Sequence, residues 1–207
     1  MRKGEATRQG ILRHAVRLGS RIGLSGLTIG RLADDLRLSK SGVFSHFRSK
    51  EALQKETIRF AASIFRESVI RPALREPRGE ARVRALFERW LEWPKRDPLR
   101  GGCFFVAAAS ELDDRPGTLR DLLVELQSGW LDALGRTVRF AVETGDFHPG
   151  VDPEQFAHDM YGVMLAFHHA SRLLADEKAE ARARRSFEGL LDAARTRRSA
   201  PTGADSR

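Results

Sequence analysis

The sequence predicts an all-α protein of about nine helices. Apolar residues recur at spacings of three and four through most of the 207 positions, and no stretch reads as a strand. The one unbroken apolar run, Cys103 to Ala109, contains three alanines and has no partner strand elsewhere, so it too reads as a buried helix. A chain of this length can bury a sizeable core and suits one or two domains.

The first helix is expected from about Gly4 to Ile22, with Ile11, Leu12, Ala15, Val16, Leu18 and Ile22 on its buried side and Gly23 ending it. Arg8, Arg13, Arg17 and Arg21 read as its solvated face. The stretch Thr28 to Lys50, TIGRLADDLRLSKSGVFSHFRSK, then reads as two short helices joined by a tight turn. Ile29, Leu32, Ala33 and Leu36 line one face of the first of these, and Thr28 stands where a cap belongs. The same helix end attracts a phosphate oxygen through the macrodipole. Arg37-Leu38-Ser39 forms the turn, Ser39 caps a helix from Lys40 to about Phe47, and Ala33, Leu38, Val43 and Phe47 make a small shared core.

That arrangement leaves Lys40, Ser41, Gly42, Ser45 and His46 on the outer side, with Phe44 the only bulky residue among them. A major groove about 12 Å wide admits one helix, small residues let its backbone come close, and Lys or Ser then reaches base edges. Spacing alone fits a solvated surface helix of some other all-helical protein equally well.

Beyond this point a long helix starts at Ser49 and stays apolar on one side, through Leu53, Ile58, Phe60, Ala61, Ile64, Phe65 and Val69, until Arg71-Pro72 is expected to break it. Val83, Leu86, Phe87, Trp90 and Leu91 mark the next helix, which ends in the region of Pro94 to Pro98. The helix of Cys103 to Ala109 follows, and Asp113 and Asp114 are expected to cap the one after it. That helix, Thr118 to Thr144, is the longest, with a stripe of Leu119, Leu122, Leu123, Leu126, Trp130, Leu134, Val138 and Val142. Asp152-Pro153-Glu154-Gln155 has the pattern of a capping box with Pro at the first helical position. The helix it opens, to about Leu174, is apolar on more than one side, which suits one face for the core and one for a partner subunit. The last helix, about Glu177 to Arg195, carries Ala179, Ala183, Phe187, Leu190, Leu191 and Ala194 on one stripe, and the tail beyond it has linker composition and is expected to be disordered.

Charge is partitioned sharply along the chain. Residues 1–50 hold 11 Lys or Arg against 3 Asp or Glu, a net of +8; the whole chain has 36 against 28, so residues 51–207 hold 25 of each sign. All the excess positive charge therefore lies around the two short helices, which assigns a polyanion contact to one end of the molecule. Cys103 is the only cysteine, so no disulfide forms within the chain and a reducing compartment is the default. No leader pattern opens the chain and no apolar run approaches 18 residues, so the expectation is a cytoplasmic protein with no membrane contact.

The first helix, LTIGRLADDL, the SKSGVFSHF helix and the SKEAL start that follows resemble, in order, the DNA-binding domain of TetR-family transcriptional regulators. The resemblance implies a three-helix helix-turn-helix DNA-binding domain at residues 1–48, a helical effector-binding and dimerisation domain at 49–195, and a tail at 196–207. It implies phosphate contacts for Thr28 and Lys50, base contacts for Lys40, Ser41, Gly42 and Ser45, and a backbone contact for His46. Many members carry a Tyr at the position of Phe44 whose hydroxyl touches a phosphate; Phe44 has no such hydroxyl. Gly30, inside a short helix, also departs from ordinary helix composition, since Gly costs about 1 kcal/mol there relative to Ala.

A homodimer through the helices at about 153–174 and 177–195 is implied, and so is a pocket for a small apolar effector. Its candidate wall is Trp90, Phe104, Phe105, Trp130, Met160, Met164, Phe167 and His168, although such stripes are packed core in most proteins. The expected function is a regulator, a repressor by type, binding a palindromic double-stranded DNA operator and released by the effector. No cofactor, metal or catalytic group is expected. His158, His168 and His169 lack the i, i+4 partner of a metal site, and Cys103 reads as a small buried hydrophobe. The rival readings are a small all-helical enzyme on a hydrophobic substrate, for which Glu111, Asp113 and Asp114 make a weak site, and an architectural DNA binder without an effector.

Overall fold

The computed structural model describes residues 3–99 and 101–195, and nine helices account for most of them. Helices α1 (Lys3–Ile22), α2 (Ile29–Leu36) and α3 (Lys40–Phe47) form the N-terminal unit. Helix α4 starts as Lys50–Phe65, widens into a π-helical stretch at Arg66–Ile70 and ends in the turn Arg71–Ala73. Then come α5 (Glu80–Glu92), α6 (Phe104–Leu112), α7 (Thr118–Glu143), α8 (Pro153–Arg172) and α9 (Ala179–Ala194). Among the described residues the only strand-like pairing is a single bridge between Phe147 and Arg195, beside which the His148 N–H donates to the Ala194 carbonyl at 2.9 Å.

The helix starts follow local chemistry. Thr28 and Ser39 cap α2 and α3 by accepting from the Arg31 and Gly42 N–H groups at 3.1 and 3.0 Å, and Ser49 caps α4 by accepting from Ala52. Asp152 Oδ1 accepts from both Glu154 and Gln155 at the start of α8. The reciprocal half of the capping box is not formed, because the Gln155 amide donates forward to Asp159.

Packing makes one continuous core. Gly19 of α1 lets Phe104 of α6 close on the helix, for a Cβ there would come within 2.9 Å of the Phe104 ring. Phe87 of α5 stacks on Phe187 of α9 with ring centroids 3.9 Å apart. Phe65, at the end of the regular part of α4, meets Trp93, Phe105 and Trp130 edge-on at 5.0 to 5.8 Å.

Several expectations are corrected. The chain stays helical through Pro72 to Ala73; a proline clashes with the carbonyl four residues back in a regular helix, and the wider π-helical turn before it relaxes that spacing. Asp113 and Asp114 do not cap α7, whose N-cap is Gly117 with no side-chain bond. Asp113 instead ends α6 and accepts from the Asp114 N–H. Ile22 and Leu38 are 37% and 39% exposed, so neither belongs to the buried set of the N-terminal unit. Arg8 and Arg17 on α1 are not merely solvated, since they pair with Glu56 and Asp97 at 2.7 and 2.9 Å. The expected disordered tail, 196–207, lies outside the described residues.

Candidate nucleic-acid interface and apolar cavity

Helix α3 is two-faced. Val43 and Phe47 are buried against the rest of the N-terminal unit, while Lys40, Ser41, Gly42 and Ser45 are exposed and Phe44 is 52% exposed. His46 is half-buried beside Phe47, and Thr28 is half-buried at the start of α2. Lys50 is exposed in the first turn of α4. The hydroxyls are partly committed: Ser45 Oγ donates to the Gly42 carbonyl at 2.8 Å and Ser41 Oγ to Ser39 Oγ at 3.3 Å. Thr28 Oγ1 accepts from Arg31, so its own proton is left for an outside acceptor.

The two glycines of this unit differ. A Cβ at Gly42 would come within 2.9 Å of the capping Ser39 Oγ, so Gly serves the cap. At Gly30 the nearest atom would be the Lys40 side chain at 3.6 Å, ordinary contact, so packing within the chain does not demand Gly there. Arg31, Arg37 and Arg48 are exposed on the same unit, the latter two with φ of 54° and 62° at the ends of α2 and α3. They were not among the sequence candidates; their place in the charge excess is the signal that marks them.

A second site lies between α4, α5, α6, α7 and α8. It is a cavity of about 360 Å³ whose wall includes Phe65, Ile70, Trp90, Cys103, Phe105, Leu126, Gln127, Trp130 and Tyr161, with the exposed Arg59, Arg66 and Glu125 on its solvent side. Of the predicted wall residues, Trp90, Phe105 and Trp130 line it and five do not. Phe104 packs on Gly19, Met160 and Met164 are fully buried core, and Phe167 lines a groove between α8 and α9. His168 Nε2 accepts from the Cys103 backbone N–H at 3.2 Å.

Polar groups of the wall have defined states. The Gln127 amide donates to the Tyr161 hydroxyl at 3.0 Å, and burial holds the phenol's pKa above its ordinary value against that bond. Burial likewise pushes the Cys103 thiol up, so it stays protonated. Outside the wall, at the carboxylate that pairs with the lining Arg59, burial works to raise Glu56, but hydrogen bonds from Arg8 and Arg59 outweigh it and hold it below its ordinary value. Among the described residues no group of three or more His, Cys, Asp or Glu is placed to hold a metal ion, and no helix is long and apolar enough to cross a membrane.

His168 gives a pH prediction. Burial first, then the charges of Arg172 and His169, push its pKa down. The folded protein therefore takes up this proton less readily than the unfolded chain, and the neutral ring is the form that accepts from Cys103. Stability is full above the ordinary His value of about 6.5 and is lost as pH falls through the lowered folded value. The melting temperature is expected to fall over that acidic window, with a shallower fall in His168→Leu; equal slopes would contradict the assignment.

Residues 11–57 match the family model described as "Bacterial regulatory proteins, tetR family", and residues 79–187 match "Tetracyclin repressor-like, C-terminal domain". The chain belongs to the TetR family. Among solved members, a TetR-family transcriptional regulator from Cytophaga hutchinsonii superimposes with a TM-score of 0.82 at 18% identity, covering 96% of this chain and 99% of that one. A TetR transcriptional regulator from Chloroflexus aurantiacus gives a TM-score of 0.80 at 25% identity, covering 93% and 96%. AibR, solved in complex with isovaleryl coenzyme A and operator DNA, gives a TM-score of 0.66 at 20% identity, covering 90% and 97%. No curated protein matches this sequence. The TetR family accounts for the order of elements, with the helix-turn-helix unit first and the larger helical part after it.

Proposed function

We propose that this TetR-family chain is a transcriptional repressor that binds a palindromic operator as a homodimer and is released by a small apolar effector. The observation that carries the reading is α3, with an outer face of Lys40, Ser41, Gly42 and Ser45 opposite the buried Val43 and Phe47, within residues 1–50, whose net charge of +8 equals that of the whole chain. Residues 1–48 act as the DNA reader and 49–195 as the effector and dimer domain. Each α3 enters one major groove, Lys40, Ser41 and Ser45 approach base edges, and Gly42 lets the backbone come close. Thr28, Lys50 and His46 contact the phosphate backbone, with Phe44 beside them. The open site at Gly30 fits a close approach of α2 to the DNA. Placement in the cytoplasm follows from this role.

Dimerisation uses α8 and α9. Between them runs a groove of Gly162, Val163, Ala166, Phe167, Ala170, Ala183 and Leu190, whose small residues let a second copy of both helices approach to make a four-helix bundle. The effector occupies the 360 Å³ cavity. It shifts the pair of readers only if it binds the released arrangement more tightly than the DNA-bound one. AibR, solved in complex with both isovaleryl coenzyme A and operator DNA, supports the combination of the two sites in one fold.

Changing Lys40 or His46 to Ala is expected to weaken operator binding about tenfold each, and Lys40→Ala to flatten its salt dependence. Fluorescence anisotropy titrations at several salt concentrations measure both. Full binding by both variants would sink the assignment of α3.

A further inference from the structure

Resting on the effector reading above, the cavity's polar groups say what kind of molecule it takes. They are mostly donors. Trp130 is 5% exposed, lines the cavity, and its indole N–H has no hydrogen-bond partner among the described residues. That nitrogen is itself closed off from the open space, so Trp130 meets a ligand through its ring and not through its N–H. Tyr161 accepts from Gln127, which leaves its own hydroxyl proton to give.

Charge at the mouth points the same way. Arg59 shares Glu56 with Arg8, at 3.1 and 2.7 Å, so two guanidinium groups divide one carboxylate. Arg66 and Glu125 are exposed and make no ion pair among the described residues. Of the charged residues that line the opening, Arg59 and Arg66 are cations and Glu125 is the one anion. Arg66 is also the first residue of the π-helical stretch, and Ile70 is its last; both line the cavity. A π-helical turn inserted in an α-helix is uncommon and recurs at functional sites, because the extra residue redirects the side chains of that turn.

We infer that the effector is an apolar carboxylate, its anionic oxygens taken by the donors Arg66 and Tyr161 and its hydrocarbon body packed on Phe65, Phe105 and the Trp130 ring. A volume of 360 Å³ equals about twelve waters at roughly 30 Å³ each, which sets the size at about a dozen non-hydrogen atoms. A guanidinium bonds a carboxylate in a two-pronged geometry that neither an amide nor an ammonium group can match.

The test uses two skeletons of this size, a decyl chain and a 2-naphthyl ring, each as carboxylate, primary amide and trimethylammonium. Binding to the full-length protein is measured by calorimetry and operator release by anisotropy. The carboxylate of each skeleton that enters is expected to bind about tenfold or more tighter than its amide, and the ammonium weakest. Arg66→Gln, at an exposed position, is expected to bring the acid down to the affinity of its amide, and Glu125→Gln keeps the preference. Amide or ammonium binding as well as or better than the acid, with operator release, overturns the acid assignment and leaves the effector reading standing. An acid preference untouched by Arg66→Gln overturns the donor set. Neither binding nor release by any of the six compounds overturns both readings.

Discussion

Replacing Glu111 by Ala is expected to destabilise the protein by about 2–4 kcal/mol, read as a lowered midpoint in urea, and to loosen the N-terminal unit from the larger one. The Glu111 carboxylate, near the C-terminal end of α6, accepts the backbone N–H groups of Leu24 and Ser25 at 2.7 and 2.8 Å, more than 80 residues away in sequence. Bonds to a charged acceptor contribute about 1.5–3 kcal/mol each, and Leu24 is buried, so its orphaned N–H has no ready water. The loop is shaped for this contact. Gly23 has a φ of 78°, and any Cβ there would collide with the Glu111 carboxylate. From the other side the buried Gln54 of α4 donates to the Leu24 carbonyl at 2.7 Å. Helix α6 begins at the cavity, with Cys103 and Phe105 in its wall, and ends on this loop about 13 Å away at 1.5 Å per residue. The same variant is therefore expected to bind effector normally while releasing operator less completely. Wild-type stability together with wild-type release would show that the loop needs no latch.

Placing Arg at Ala166 is expected to lower operator affinity about 100- to 10,000-fold. Ala166 is exposed on α8 in the groove beside α9, so one protomer tolerates the longer side chain without strain. In the proposed four-helix bundle the partner's helices occupy this groove, so the added guanidinium would be desolvated there without a countercharge. The loss follows from valency, since two linked readers bind one operator far more tightly than either reader alone. Sedimentation should report a monomer with unchanged helical circular dichroism. A dimer of normal operator affinity would remove α8 and α9 from the interface.

Helices were legible because their apolar spacing reports burial directly, and the capping side chains of Thr28, Ser39 and Ser49 act within three residues of themselves. What escaped is long-range or depends on the far side of a buried face. Glu111 was read only as part of a weak acidic cluster, because nothing near it in sequence points to the backbone of Leu24 and Ser25. Phe104 and Phe105 are neighbours of equal hydrophobicity, yet one fills the gap over Gly19 and the other faces the cavity. Met160 and Met164 sit on an apolar stripe that cannot distinguish a packed core from a cavity wall. His168 was drawn to the cavity by its aromatic neighbours, and its partner is a backbone N–H beside Gly102, where φ is 102°. The π-helical turn at Arg66–Ile70 has no sequence signal that periodicity could register.

A dimeric repressor of this kind has α3 reading a palindrome as one half of a pair. Selection from random duplex DNA with the purified protein, at a stated salt concentration and followed by sequencing of the bound pool, tests it most directly. The expected result is an enriched inverted repeat with half-site centres about one helical turn, or a multiple of it, apart. A pool with no enriched sequence, held only by salt-sensitive bulk binding, would contradict it.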